Sequence, residues 1–169
     1  MASQEYVVLV NEQDEQIGLA EKMEAHRKGL LHRAFSVVIY NDEGKMLLHK
    51  RASGKYHSPG LWTNACCSHP RPDETIEAAA SRRLQEEMGF TTPLERITTF
   101  IYKADVGKGL TEHELDHLLT GRYNAPPAPN PQEVEGWVYL SPDEIRQNIK
   151  NHPEEYTEWF KIILRKLDN

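Results

Sequence analysis

The chain has 169 residues, a formal net charge of −6 and a hydrophobic share of 38%. A chain of this length forms one domain with a sizeable core, and its charge excludes the strongly basic class of nucleic-acid binders. No apolar stretch is long enough to cross a bilayer, and the first residues lack the charged and apolar regions of a secretion signal. We therefore expect a cytoplasmic protein with neither nucleic acid nor membrane as a partner.

The first predicted elements are short strands. β-branched and aromatic residues are concentrated at 6–10 and 34–40, and a further apolar run occupies 46–49. The turn-forming residues 41–44 separate the last two runs, which predicts a β-hairpin. One helical turn is predicted at 21–26.

The clearest predicted helix runs from about residue 74 to residue 88. Pro72 and Asp73 supply a stop and an N-cap, acidic residues fill the first turn, and Gly89 suits the C-terminal cap. This helix is expected to pack on one face of a sheet.

Strands and two more helices follow. The further strands are predicted at residues 97–104, 115–123 and 134–140. Four prolines make 125–131 a rigid loop. Ser141 opens a helix through a capping box with Pro142 at its first position, and the final helix, 154–167, has one aromatic and aliphatic face. The pattern is that of a single α+β domain, 1–169, with a mixed β-sheet flanked by helices.

The segment 62–70, with the sequence WTNACCSHP, carries a thiol two residues before an imidazole. Side chains two residues apart in an extended segment point the same way, so Cys67 and His69 are able to share one wall of a pocket. A second interpretation is that Cys66 and Cys67 are small buried residues and His69 belongs to a loop. Adjacent cysteines are poorly placed for a disulfide, which favours free thiols in a reducing compartment.

Two charged residues fall within the apolar face of the central helix. Ile76, Ala80 and Leu84 define that face, and the helical period places Arg83 and Glu87 inside it. An unpaired charge on a buried face is costly, so both residues need partners, a metal ion or solvent from a cleft. The alternative is a simple ion pair between positions i and i+4 at the edge of the face.

Residues 68–90 resemble the Nudix box, Gly-x5-Glu-x7-Arg-Glu-U-x-Glu-Glu-x-Gly-U, where U is a bulky aliphatic residue. The spacing matches throughout, but Ser68 stands for the leading glycine and Arg83 for the first glutamate after arginine. In Nudix hydrolases that glutamate helps to bind the metal ions that activate water. Arg83 therefore puts hydrolysis in doubt, while the resemblance implies a Nudix-like α/β/α sandwich.

Five motifs in order resemble one branch of the Nudix superfamily, the type 1 isopentenyl-diphosphate isomerases. They are the cysteine segment 62–70, the segments around His26 and His32, the acid segment with Tyr102 and residues 112–114, and the Trp159-Phe160 pair. The match covers about residues 11–165. It implies isomerisation of isopentenyl diphosphate to dimethylallyl diphosphate in isoprenoid biosynthesis.

The resemblance also implies a metal centre with imidazole and carboxylate ligands. Its members are His26, His32, His69, Glu112 and Glu114. Glu112 and Glu114 are two residues apart in a segment expected to be extended, so both face the same way. The donor set suits Mn²⁺, Mg²⁺ or Zn²⁺ in near-octahedral geometry. The remaining histidines match no ligand position and are expected to be surface or packing residues; they are His49, His57, His113, His117 and His152.

The implied chemistry is a proton addition at C4, a tertiary carbocation at C3 and a proton loss at C2. Glu114 and Tyr102 are expected to form the acid unit, with the choice of final donor left open, and Cys67 to act as the base on the opposite side. Trp159 is expected to stabilise the cation through its indole face. The alternative for Trp159 is a core residue on an amphipathic helix, and both roles are compatible.

A diphosphate needs cations around it. The family match assigns this role to Lys22, Arg51, Lys55 and Arg83. It also assigns a second Mg²⁺, which arrives with the substrate, to Glu87 and the backbone carbonyl of Cys67. For Lys22 and Lys55 the alternative is a solvated surface charge.

Two other functions remain as alternatives to the isomerase. One is a Nudix diphosphohydrolase, which Ser68, Arg83 and the Cys67/Glu114 pair disfavour. The other is a catalytically silent metal-binding or ligand-binding Nudix module, which would not need an acid–base pair. The expected partner is a small-molecule substrate, and the expected assembly is a monomer or a weak homodimer.

Overall fold

The computed structural model describes residues 5–55 and 57–168. Within them the strands are β1 (Tyr6–Val10), β2 (Gln16–Glu21), β3 (His32–Tyr40), β4 (Met46–Arg51), β5 (Trp62–Thr63), β6 (Cys66–Ser68), β7 (Glu95–Gly107), β8 (Leu110–Arg122) and β9 (Val134–Leu140). The helices are α1 (Lys22–Lys28), α2 (Ile76–Met88), α3 (Pro142–Asn151) and α4 (Glu158–Leu167), with a short 3-10 helix at Pro153–Glu155.

Strand β3 is the centre of the sheet. It pairs in parallel with β8 over its whole length and antiparallel with β6, β1 and β4. β7 extends the sheet beyond β8, and β9 and β5 both pair with β4. Because parallel and antiparallel pairs meet at β3, the sheet is mixed, as the sequence predicts.

Helices cover both faces of the sheet, and the alternation of side chains along β3 explains why. Phe35, Val37 and Ile39 pack against α2 in one apolar cluster, whereas Val38 packs against α4 through Phe160 in the other. Successive residues of a strand point to opposite faces, so a strand rich in apolar residues serves two cores. The α/β/α sandwich predicted from the sequence is confirmed.

Most predicted elements are present, with boundaries that shift for identifiable reasons. Helix α2 begins at Ile76 with Thr75 as its N-cap, because the Thr75 hydroxyl accepts a hydrogen bond from the backbone N–H of Ala78 at 3.2 Å. The N-cap expected at Asp73 is therefore wrong; that residue has a φ of 68° and lies in the preceding turn. The final helix begins at residue 158 rather than 154.

Three short strands were not predicted, and four predicted strands are longer than expected. The unpredicted strands are β2, β5 and β6. Strand β8 begins at Leu110 rather than residue 115, because the segment that carries the charged residues Glu112 and Glu114 is itself extended. Polar residues hide a strand from pattern analysis when they face a pocket instead of an apolar core.

Gly89, which ends α2, is required by both conformation and space. Its φ is +75°, and a Cβ atom there would lie 2.2 Å from the carbonyl oxygen of Ala128. The loop around Ala128 is held against the helix end, since its N–H donates to the carbonyl of Met88 at 3.0 Å.

Within the described residues, no helix is long and apolar enough to cross a membrane.

Candidate active site

A cavity of about 360 Å³ opens at the end of the sheet where β6, β7 and β8 meet the two flanking helix layers. All the predicted site residues except His26 and His32 line it. These are Lys22, Arg51, Lys55, Cys67, His69, Arg83, Glu87, Tyr102, Glu112, Glu114 and Trp159. His26 and His32 lie behind this wall with no exposed surface.

Strand register places His32, Glu114 and Tyr102 in one row across three strands. His32 of β3 is opposite Glu114 of β8, and Glu114 is opposite Tyr102 of β7. Paired residues in neighbouring strands share a face of the sheet, so the three side chains meet in the cavity wall. Loop and helix residues then complete the site around this row.

Three imidazoles and one carboxylate converge in that wall. The Nε2 atoms of His32 and His69 lie 3.2 and 2.9 Å from Oε2 of Glu114. The ring centroids of His26 and His32 are 5.3 Å apart. One donor atom from each of His26, His32, His69 and Glu114 lies within 4.8 Å of all the others.

Backbone carbonyls orient two of these rings. Nδ1 of His26 lies 2.7 Å from the carbonyl oxygen of Lys22, and Nδ1 of His32 lies 2.9 Å from that of Leu30. A ring that donates its Nδ1–H to a carbonyl presents the lone pair of Nε2 on its other side. Both rings therefore direct Nε2 to the cluster.

The protonation of His26 and His69 fits a divalent ion. Burial, followed by the neighbouring His32 and His26, lowers the pKa of His69 well below its usual value, and burial lowers the pKa of His26. For His32, burial would lower the pKa, but the hydrogen bond that His32 donates to Glu114 outweighs burial and raises it. Neutral imidazoles and carboxylate oxygens are the ligand forms that divalent metals need.

The fifth predicted ligand, Glu112, lies beside this cluster with different partners. Its Oε1 atom is 3.0 Å from Nε2 of His57, and its Oε2 atom is 2.9 Å from the hydroxyl of Tyr102. The sequence predicted a surface or packing position for His57; the residue is 2% exposed and also lines the cavity. A histidine in a glycine- and serine-containing loop carries no periodic pattern that would have identified it.

The hydroxyl of Tyr102 lies between the two glutamates. It is 2.5 Å from Oε1 of Glu114 and 2.9 Å from Oε2 of Glu112. Burial and then the two carboxylates raise the pKa of Tyr102 well above its usual value. Burial would also raise the pKa of Glu114, but hydrogen bonds led by that from His32 lower it to about 2. These shifts favour a protonated Tyr102 beside an ionised Glu114.

Cys67 faces the same cavity from β6, opposite Ser36 of β3. Its thiol lies 3.3 Å from the hydroxyl oxygen of Ser36 and 3.2 Å from Oδ1 of Asn64. Ser36 in turn donates to the buried carboxylate of Asp116 at 2.6 Å. Burial and then Asp116 raise the pKa of Cys67 well above the ordinary value, which favours the thiol.

Cys66 points to the other face of the strand. It belongs to the apolar cluster beneath α2, and its thiol donates to Oε2 of Glu87 at 3.0 Å. Burial is the main reason that the pKa of Cys66 is well above its usual value. Of the two interpretations of the cysteine pair, each therefore applies to one residue: Cys66 is a buried residue and Cys67 faces the cavity.

Both interpretations that the sequence left open for Arg83 and Glu87, an ion pair and a position in a cleft, apply. They form an i,i+4 pair at 3.5 Å, and both also line the cavity. Arg83 makes a shorter contact of 2.9 Å with Glu133, which also accepts from Lys55 at 3.2 Å. Glu133 was not identified from the sequence, because a single glutamate after a proline-rich loop resembles a solvated charge.

The other two predicted cations are also in the cavity wall. Nζ of Lys22 lies 3.0 Å from Oε2 of Glu5. Arg51 donates to the carbonyl of His57 at 3.0 Å, and its guanidinium carbon is 5.1 Å from the ring centroid of Trp159. The cavity therefore has one region of imidazoles and carboxylates and another region rich in cations.

Trp159 lies at the boundary between the cavity and the apolar core. Its side chain is 2% exposed and packs in the apolar cluster of α4, while the ring also lines the cavity. The ring meets that of His57 edge-on at 5.5 Å. The core and cavity roles that the sequence offered for Trp159 are thus both compatible with its position.

Comparisons with known proteins agree with this architecture. The family model of the NUDIX domain matches residues 30–160. A Photorhabdus laumondii protein named isopentenyl-diphosphate Delta-isomerase 2 is 48% identical over 163 residues, which cover 96% of this chain and 92% of the relative. A Pectobacterium atrosepticum protein named isopentenyl-diphosphate Delta-isomerase is 47% identical over 161 residues, which cover 95% and 90%.

A solved structure supports the fold alone. The crystal structure of DR0079 from Deinococcus radiodurans has a TM-score of 0.79 at 20% identity and covers 96% of this chain and 98% of that chain. The identity to the named relatives is much higher and extends over nearly the whole sequence. The chain therefore belongs to the isopentenyl-diphosphate isomerase family of Nudix-domain proteins.

Proposed function

We propose that the protein isomerises isopentenyl diphosphate to dimethylallyl diphosphate by protonation and deprotonation through a tertiary carbocation. The relatives that carry this activity in their names are 41–48% identical over nearly the full chain. The observation that best supports the mechanism is the position of Cys67 and of the Tyr102–Glu114 pair. They project from β6 and from β7 and β8, on either side of β3, into one cavity.

The acid side of the reaction belongs to Tyr102 and Glu114. A simple alkene is a weak base, so its protonation needs a confined acid and the exclusion of water. Tyr102 and Glu114 lie 2.5 Å apart and together form the unit that delivers the proton to C4. Glu114 and Glu112 then hold the phenol in place through contacts of 2.5 and 2.9 Å.

The base side belongs to Cys67. The thiolate accepts the proton from C2, and the thiol returns it in the reverse direction. Because burial and Asp116 favour the thiol, the substrate complex must favour the thiolate if Cys67 is the base. Ser36 and Asn64 are the acceptors that face the thiol, at 3.3 and 3.2 Å, and they fix the direction of Sγ while it carries its proton.

The role assigned to Trp159 is to stabilise the cationic intermediate. The face of an indole attracts a cation through its quadrupole and offers no nucleophile that would trap it. The ring is rigidly packed in the core of α4, which keeps its position during the reaction. Water would quench a tertiary cation, and the low exposure of this ring helps to keep water out.

The diphosphate is assigned to the cation-rich region of the cavity, with Lys22, Arg51, Lys55 and Arg83 around it. Arg83 and Lys55 already share the carboxylate of Glu133, and phosphate oxygens would compete with Glu133 for both. Glu87 and the carbonyl of Cys67 are assigned to the Mg²⁺ that accompanies the substrate.

The His/Glu cluster is assigned to one Mn²⁺, Mg²⁺ or Zn²⁺ ion. His26, His32, His69 and Glu114 would hold it, with Glu112 as the fifth ligand after release from His57. A bound divalent ion would neutralise the buried carboxylates, and an ion beside Cys67 would favour its thiolate. Every proton transfer in the proposal is made by the side chains of the chain itself.

Two further properties are part of the proposal. We infer a cytoplasmic location, because Cys66 and Cys67 are both free thiols on opposite faces of one strand. We also infer a monomer or weak homodimer that has neither nucleic acid nor membrane as a partner. Light scattering during gel filtration at two protein concentrations tests the assembly, and a stable tetramer would contradict it.

One assay tests the reaction against both alternatives. The protein is incubated with isopentenyl diphosphate and Mg²⁺ in D₂O, and the products are followed by NMR. Deuterated dimethylallyl diphosphate is the expected product. Released phosphate would indicate a hydrolase, which Arg83 disfavours because it occupies a glutamate position of the Nudix box. An unchanged substrate would indicate a silent binding module.

A further inference from the structure

A second group of donor atoms lies next to the predicted metal cluster. Nε2 of His57 is 3.0 Å from Oε1 of Glu112, and Nε2 of His26 is 3.9 Å from the same oxygen. The three donor atoms all lie within 4.8 Å of one another. The exposed fractions of the three residues are 0%, 2% and 6%, so none is a solvated surface group.

The two groups share His26 and can be filled only one at a time. Nδ1 of His26 is committed to the carbonyl of Lys22 at 2.7 Å, which leaves Nε2 as its ligand atom. One imidazole nitrogen has one lone pair and binds one metal ion. An ion that is bound by His26 therefore lies either with His32, His69 and Glu114, where Glu112 would leave His57 to become the fifth ligand, or with His57 and Glu112.

The two glutamates are arranged symmetrically about Tyr102. Each has one oxygen near the phenol, at 2.5 Å for Glu114 and 2.9 Å for Glu112. The other oxygen of each faces imidazole nitrogens, those of His32 and His69 for Glu114 and that of His57 for Glu112. The second carboxylate thus offers the same kind of metal-binding face as the first.

We propose that His26, His57 and Glu112 form a second binding position for a divalent ion, an alternative to the position at His26, His32, His69 and Glu114. Two imidazoles and one carboxylate, with remaining positions for water, are a donor set that suits Zn²⁺, Co²⁺ or Mn²⁺. An ion in this position leaves Glu114 without a metal bond, free to act with Tyr102 alone.

The surroundings of His57 suit a residue that binds a metal ion. Nδ1 lies 3.2 Å from the hydroxyl of Ser58, which can accept its proton and leave the lone pair of Nε2 for a metal ion. The ring is fixed by stacking on His26 at 5.8 Å and by the edge contact with Trp159 at 5.5 Å. A ligand whose ring is already held in place loses little conformational freedom when an ion binds.

Variants that have lost two imidazole ligands of the first position test the second. The double variant His32→Ala/His69→Ala is titrated with Co²⁺ in competition with a chelator, and visible absorption reports the ligand set. We expect it to bind one ion. Adding His57→Ala should raise the Kd by about 100-fold or more, because a direct ligand is lost. His152→Ala, at an exposed histidine, is the matched control and should leave the Kd unchanged. A double variant that binds Co²⁺ no better than the triple variant would overturn the proposal.

A second measurement uses the unaltered chain and so does not depend on the folding of variants. Crystals are grown with Zn²⁺, and anomalous scattering locates the metal. A peak within about 2.2 Å of Nε2 of His57 supports the second position. A peak confined to the His32, His69 and Glu114 side at every Zn²⁺ concentration contradicts it. Both measurements detect metal binding rather than isomerisation, so they stand apart from the test of the proposed function.

Discussion

The Sγ atom of Cys67 lies 3.3 Å from the hydroxyl oxygen of Ser36. The single proton of that hydroxyl is donated to Asp116 at 2.6 Å, so Ser36 accepts from the thiol. Asp116 is completely buried, and its second carboxylate oxygen has no hydrogen-bond partner among the described residues. The proposed base is therefore oriented by a polar contact that continues into the core of the sheet.

Replacing Ser36 should impair the chemical step more than substrate binding. We expect Ser36→Ala to lower kcat by about 10- to 100-fold with little change in KM, because Sγ loses a contact that fixes its direction. Ser36→Thr keeps the hydroxyl and should recover part of the loss. Steady-state kinetics with isopentenyl diphosphate measures both variants. An equal loss in Ser36→Thr and Ser36→Ala would mean that packing, not the hydroxyl, matters.

The two adjacent cysteines should differ sharply in their effect on activity. Cys67→Ala removes the proposed base and should lower kcat by at least about 1,000-fold. Cys66→Ala is the matched control: it removes one hydrogen bond to Glu87, so we expect less than about a tenfold loss. The deuterium assay by NMR measures both. An active Cys67→Ala protein would remove Cys67 from the mechanism.

Arg83 should act mainly on the binding of the diphosphate. We expect Arg83→Gln to raise KM by about 10- to 100-fold, because a guanidinium that can grip phosphate oxygens is replaced by a neutral amide. Arg96→Gln is the control, since Arg96 pairs with the exposed Glu77 outside the cavity. Initial rates over a range of substrate concentrations separate KM from kcat. A fall in kcat alone would place Arg83 in a different role.

Removing divalent metal should destabilise the folded chain. Glu112, Glu114 and Asp116 are buried close together, and a bound ion offsets their mutual repulsion. At a metal concentration of about 100 Kd, binding stabilises the native state by about 2.7 kcal/mol, which corresponds to a rise in Tm of about 5–10 °C. Thermal unfolding in chelator and in Mn²⁺ measures this difference. His69→Ala should show a smaller difference than His152→Ala, and equal shifts in the two variants would argue against the cluster as the metal site.

His49 should make stability fall on acidification. Burial and then the nearby Arg51 lower the pKa of His49 to about 3, with its ring held 3.0 Å from the carbonyl of Ala65. The unfolded chain takes up a proton below about pH 6.5, and the native state takes it up only near pH 3. Stability is therefore fully present above that unfolded pKa and is lost as the pH falls towards 3.

Denaturant unfolding at pH 7.5 and pH 5.0 measures the contribution of His49. We expect this residue to account for about 2 kcal/mol of the loss between the two conditions. His49→Gln cannot take up the proton, so its loss should be smaller than that of wild type by this amount. His152→Gln, at an exposed position, should behave as wild type. An identical pH dependence in wild type and His49→Gln would contradict the assignment.

Local signals in the sequence were sufficient for most of the fold. The capping box at Ser141 is present as predicted, with contacts of 3.1 and 3.2 Å between Ser141 and Glu144. The strand predicted at 134–140 is observed with the same bounds, Val134–Leu140. Such features depend on residues within a few positions of each other, so their physical cause is contained in the local sequence.

Local patterns in the sequence did not predict which distant segments pair in the sheet. The parallel alignment of β3 with β8 sets His32 opposite Glu114, 82 residues later in the chain. Short strands such as β6 have too few residues for a periodic signal and are stabilised by their partners. The adjacent cysteines show the same limit, because only strand pairing decides which of them faces the cavity.

The sequence by itself determined the family, the α/β/α architecture and most of the cavity residues, because motif spacing and periodicity record local geometry and the order of side chains. Only the tertiary structure brought His57 to Glu112, Glu133 to Arg83 and Ser36 to Cys67. The two residues of each pair lie in segments that are far apart in the chain. Chain folding, rather than any local preference, places the two partners within hydrogen-bond distance.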